Sequence, residues 1–147
     1  MNICLVLISD GWGGAENVVF NLAKQLSNKG ENVSVLLNNE IFNYFSSLKN
    51  VRIFRMSYLY NTKALITSIL SSKKADIKGD HIWNSGLFYF LNGILRHLYY
   101  KKIHKDILHI LKQQKIDIIH LHLENSLQLF MGLFEKLNLP VVITLHG

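Results

Sequence analysis

Cysteine, proline and long apolar runs are scarce in this chain, and each scarcity excludes something. One cysteine, Cys4, stands among 147 residues, so no internal disulfide can form and a reducing compartment is expected. Cys4 lies inside an apolar strand pattern and reads as a small buried hydrophobe rather than a nucleophile. The single proline, Pro140, excludes a proline-rich linker. No period recurs and no tract is of low complexity, which excludes a repeat architecture. The amino terminus carries no basic leader, and its apolar run from Ile3 to Ile8 is too short for a secretory signal. No stretch reaches the roughly 20 apolar residues of a membrane span. The nearest, Ile82 to Leu95, is interrupted by Asn84, Ser85 and Asn92 and followed by Arg96. Neither a Cys cluster nor an H-E-x-x-H helix is present, so no metal is expected. No nucleic-acid motif accompanies the basic residues, and no nucleic-acid partner is expected.

What is present is a globular composition, 49% hydrophobic, in a length that fits one domain or part of one. Sixteen basic against ten acidic residues give a net charge of +6. Part of that charge is clustered: Arg96, Lys101, Lys102, Lys105 and Lys112 stand near Trp83, Phe88, Tyr89, Phe90, Tyr99 and Tyr100. Two readings of segment 83–112 stay open, a solvated helix face over a core-facing stripe and a peripheral contact with a membrane surface.

The apolar pattern alternates between strand and helix. Residues 2–9 are a continuous apolar run, as in a buried parallel strand. Val18, Val19, Leu22, Ala23 and Leu26 recur at helical spacing, and Lys29 with Gly30 ends that helix. Strand 32–37, a short helix over 40–48 and strand 51–56 follow. Leu65, Ile66, Ile69 and Leu70 have helical spacing, 71–79 is a polar loop, and helix returns over 86–114, in two pieces. Strand 115–122, helix 126–137 and strand 141–145 complete the chain, Pro140 breaking the last helix. This order predicts an α/β fold, a Rossmann-like doubly wound parallel sheet with right-handed crossovers.

Ligands of such sheets bind beyond the carboxyl ends of the strands, so the chemistry is sought there. The first is Gly11-Trp12-Gly13-Gly14-Ala15-Glu16, a glycine turn opening a helix, where the backbone can approach a phosphate and free N–H groups point outward. A dinucleotide fingerprint would place glycine at position 16, where Glu16 stands, and this disfavours a nicotinamide dehydrogenase. The second is His120-Leu-His122-Leu-Glu124-Asn125. His120 and His122 are two apart and share a strand face, and a histidine there can bind a hydroxyl or accept its proton near neutral pH. A metal held by both histidines with Glu124 or His146 is the rival reading, and a packed, hydrogen-bonded His120 is the plain one. The third is Thr144-Leu-His146-Gly147, which closes the last strand.

Taken together, Gly13-Gly-Ala-Glu16 with its flanking strand and helix, the strand Asp117-Ile-Ile-His-Leu-His122, and Pro140-Val-Val-Ile-Thr-Leu-His-Gly147 resemble the amino-terminal domain of family 4 retaining glycosyltransferases, which have the two-domain GT-B architecture. The resemblance runs over residues 1–147. It implies a substrate site built from Gly13, Gly14, Ala15, Glu16, His120, Glu124, Asn125, His146 and Gly147, with His122 as the catalytic residue near the transferred sugar or acceptor hydroxyl. It implies no cofactor: a nucleotide-diphospho-sugar is the donor substrate, and the sugar passes to a glycan or lipid-linked acceptor in cell-surface polysaccharide or lipopolysaccharide synthesis. It implies a cytoplasmic protein working at the inner face of the membrane. The carboxy-terminal domain that binds the nucleotide sugar in this family has no counterpart here, and the amino-terminal domain itself reads as truncated. A fragment, a shortened gene product and half of a split enzyme with its second domain on another chain remain alternatives. So do another Rossmann-like nucleotide-binding enzyme and a non-catalytic partner subunit. The chain alone is expected to be inactive.

Overall fold

The computed structural model describes residues 1–56 and 86–146. The chain divides into two compact units, one of residues 1–57 with 104–147 and one of residues 58–103. Of the second unit, the described part is the helical run from 86 to 103. The helix, loop and side-chain readings placed on 57–85 fall outside the described residues, as does Gly147.

The first unit is built on five parallel strands: β1 (Asn2–Leu7), β2 (Asn32–Asn38), β3 (Val51–Met56), β4 (Ile118–His122) and β5 (Val141–Thr144), in the order β3-β2-β1-β4-β5. The helices are α1 (Gly14–Asn28), α2 (Asn39–Phe45), α3 (Gly86–Gln113) and α4 (Leu123–Phe130). The chain winds outward from β1 to β3, crosses back, and continues from β4 to β5. The reversal lies between β1 and β4, whose register pairs Leu7 with His122.

Local chemistry accounts for these elements. As the central strand, β1 has both faces covered, and Cys4 to Ile8 are fully buried, as an unbroken apolar run requires. Leu5 and Leu7 pack with Val33, Val35 and Leu37 of β2, Val19 and Ala23 of α1, and Ile41 and Phe45 of α2. Burying one such Leu or Val side chain contributes about 1.5–3 kcal/mol. At the end of α1, Gly30 adopts φ 85°, and Gly30 N–H and Glu31 N–H donate to the carbonyls of Ser27 and Leu26. This is the Schellman closure, in which glycine takes the left-handed position without a Cβ clash.

Several boundaries differ from the periodicity. The 86–114 segment is one helix rather than two pieces, because nothing within it breaks the backbone ladder. Strand β4 begins at Ile118: Lys115 turns at φ 49°, and Asp117 N–H donates to the Asn2 carbonyl before the ladder starts. Helix α4 starts at Leu123 and ends at Phe130, earlier at both ends than the apolar spacing suggested. Phe134–Lys136 forms a separate 3-10 turn. Leu133 is buried all the same, so the apolar stripe persists across a backbone that is no longer α-helical.

Candidate functional site at the carboxyl ends of β1 and β4

The β1 exit is tied down from two sides. The buried Ile8 N–H donates to Ser126 Oγ of α4 at 3.0 Å, and Ser9 N–H donates to Asn38 Oδ1 of β2 at 3.2 Å. Asn38 returns a bond from Nδ2 to the Ser9 carbonyl at 2.6 Å, and its Nδ2 also approaches Glu40 Oε2 at 2.5 Å. Ser126 and Asn38 are almost wholly buried. Serine within an apolar helix and asparagine closing an apolar strand were the signals that could have found them.

Gly13 is the N-cap of α1 and Glu16 occupies the third helical position. The Glu16 side chain folds back, so that a Cβ on Gly13 would meet its Oε2 at 3.1 Å. Glycine at the cap and glutamate three residues on match the spacing of a capping box, but no side-chain hydrogen bond caps the helix. Glu16 is buried, whereas Gly13 and Gly14 are exposed and Ala15 is partly so. The helix end therefore already holds a carboxylate near its positive pole. Glu16 supports the loop from beneath, and the backbone at 13–14 is what faces solvent.

The histidines gather as their strand positions require. Register aligns His120 with Leu5 and His122 with Leu7, placing both rings on the sheet face that α1 covers. Their ring centroids are 4.0 Å apart. His120 Nε2 bonds Thr144 Oγ1 at 2.8 Å, as the plain reading expected. His122 Nδ1 bonds His146 Nε2 at 3.1 Å, and these two rings stack at 5.4 Å with 19° between planes. His122 is buried, and its Nε2 has no hydrogen-bond partner.

This packing sets the electrostatics. Burial, reinforced by His120 and then His146, holds the His122 pKa down at about 3. Burial and His146 also lower that of His120. His122 is thus a neutral imidazole at physiological pH, with one nitrogen engaged and the other unused. Among the described residues, no three His, Cys, Asp or Glu side chains are placed to hold a metal ion.

The remaining predicted residues are less central. Glu124 lies exposed in the first turn of α4 and accepts a bond from Gln128 Nε2 at 3.2 Å, and Asn125 beside it is half-buried. Lys101, Lys102, Lys105 and Lys112 are exposed on α3. The side chains of Trp83, Phe88, Tyr89, Phe90 and Arg96 fall outside the described residues. No described helix is long and apolar enough to cross a membrane.

An open parallel sheet with polar groups gathered at its strand-order reversal defines a class, the Rossmann-like ligand-binding domains. Within that class the family model for Glycosyltransferase Family 4 matches residues 12–147. The chain belongs to this family and corresponds to the amino-terminal domain of its GT-B architecture. No curated protein matches it.

Proposed function

We propose that this domain supplies the acceptor side of a sugar transfer, in which a glycan or lipid-linked acceptor receives a sugar from a nucleotide-diphospho-sugar. The observation that carries this is His122: a buried neutral imidazole at the β1–β4 reversal, with Nδ1 held by His146 and Nε2 unpaired. An unpaired buried polar nitrogen costs about 1–3 kcal/mol, and a substrate hydroxyl that reached Nε2 when the residues covering it move aside would recover it. The tautomer decides the direction. When His122 Nδ1–H donates to His146, Nε2 accepts the hydroxyl proton; when His146 donates, Nε2–H donates to the hydroxyl oxygen.

The donor's diphosphate needs cationic neutralisation as it leaves. The described segments leaving β1, β2, β4 and β5 carry no lysine or arginine, and Glu16 already sits at the α1 amino terminus. We assign the charges for the diphosphate to a carboxy-terminal domain, on this chain's own continuation or on a separate chain.

Imidazole NMR on the 147-residue chain tests this reading. Neutral glycans should shift the His122 and His146 resonances, uridine and guanosine diphosphates should leave them in place, and nucleotide sugars should not be consumed. Turnover of a nucleotide sugar by this chain would falsify the division of labour.

A further inference from the structure

Beside the glycine turn, the described residues leave two aromatic side chains in water that pack on each other. Trp12, between Gly11 and Gly13, is 41% exposed, and Tyr44 of α2 is 52% exposed. Their ring centroids are 4.9 Å apart with 32° between planes. The indole also meets Phe45 and Phe20 edge-on, each at 5.9 Å. Phe45 is fully buried and meets Phe20 at 5.6 Å. The exposed pair is thus mounted on a fixed aromatic base continuous with the core.

We propose that Trp12 and Tyr44 form a stacking plate for a pyranose ring of the acceptor, a subsite beyond the hydroxyl that meets His122. This rests on the acceptor-side reading above. A pyranose presents a face of C–H groups, weakly positive, with hydroxyls at its rim. An aromatic face is its electrostatic complement, because the ring quadrupole is negative there. The loop beside the indole carries little side-chain bulk: a Cβ at Gly11 would meet nothing within 4 Å, whereas one at Gly13 would meet Glu16 Oε2 at 3.1 Å. Asp10, Glu40 and Asn43 are exposed and close to these residues in the sequence, and Glu40 Oε2 accepts from Asn38. Membership in a glycosyltransferase family and the position on the β1 exit loop select a sugar as the occupant. The plate therefore assigns an acceptor with at least one sugar already in place, rather than a bare lipid or amino-acid hydroxyl.

The test uses the full 147-residue chain carrying Trp83→Phe, which leaves Trp12 as the sole indole. Cellobiose, maltose, lactose, chitobiose and methyl mannobioside are titrated while Trp12 emission and saturation transfer to the pyranose protons are followed. At least one should bind saturably with a change in Trp12 emission. Trp12→Ala should weaken it at least tenfold and Tyr44→Ala several-fold, and Trp12→Phe should stay within about threefold of the parent. Circular dichroism of each variant confirms that it is folded. Saturable binding that Trp12→Ala leaves unchanged but His122→Ala abolishes overturns the plate and leaves the acceptor-side reading standing. Quenching of Trp12 by uridine diphosphate, with no glycan response, overturns the plate as a sugar site. No saturable binding of any of these glycans by the folded chain overturns both readings.

Discussion

His122 shows how one position acquires a chemistry that its neighbours do not have. Strand alternation brings His120 and His122 to one face, but the partners differ: a threonine hydroxyl for His120, a third histidine for His122. The consequence is a pH dependence with a definite sign. The His122 pKa falls from 6.5 when unfolded to about 3 when folded, so the unfolded chain binds the extra proton between those values. Stability is full above pH 6.5 and declines as pH falls toward 3, by about 1.4 kcal/mol per pH unit from this group. Urea denaturation at pH 7.5 and pH 5 should show a loss of about 2 kcal/mol that His122→Gln largely removes. An equal loss in the variant would place the acid sensitivity elsewhere. Neither that pKa nor the His146 partnership was legible locally, because the two residues are 24 positions apart and β4–β5 pairing brings them together.

At the scale of elements, the β1 exit is positioned by neighbours rather than by its own sequence. Ser126→Ala leaves the Ile8 N–H buried without an acceptor and should cost about 1–3 kcal/mol. Asn38→Leu removes both bonds to Ser9 and should cost a similar amount. Chemical denaturation gives the two costs. Hydrogen exchange should separate them further: the asparagine variant should release amides 9–13, and the serine variant chiefly Ile8. The strands and α1 could be read from apolar spacing, since each is a local pattern. The start of α4 could not, because Leu123 enters the helix from φ 69°, a conformation for which a leucine gives no signal.

At the scale of the molecule, the sheet is unequally protected. On the outer strand β5, Val142 and Ile143 are exposed, as is Leu145 just beyond it. Apolar side chains along an unpaired strand edge favour association. Ile143→Lys should reduce self-association in sedimentation velocity while changing stability by no more than about 0.5 kcal/mol, as for other surface substitutions. A variant that associates like the parent would exonerate this edge. Transfer chemistry is likewise distributed, in the reading proposed here, between a neutral acceptor side and a cationic donor side.

The boundary between sequence and fold follows interaction range. Period two and period 3.6 hydrophobicity, a Gly-Gly-Ala-Glu helix opening and a left-handed Gly30 are settled within a few residues. The sequence by itself therefore determined an alternating α/β chain of a recognisable family. Tertiary structure decided that Glu16 lies beneath its loop while Trp12 stays in water. It decided that Asn38 and Ser126 hold the β1 exit, and that His120 and His122 of β4 meet His146, just past β5, in one cluster around a buried His122. Those outcomes depend on which strands become neighbours, and parallel pairing through long crossovers joins residues whose spacing along the chain carries no trace of their contact.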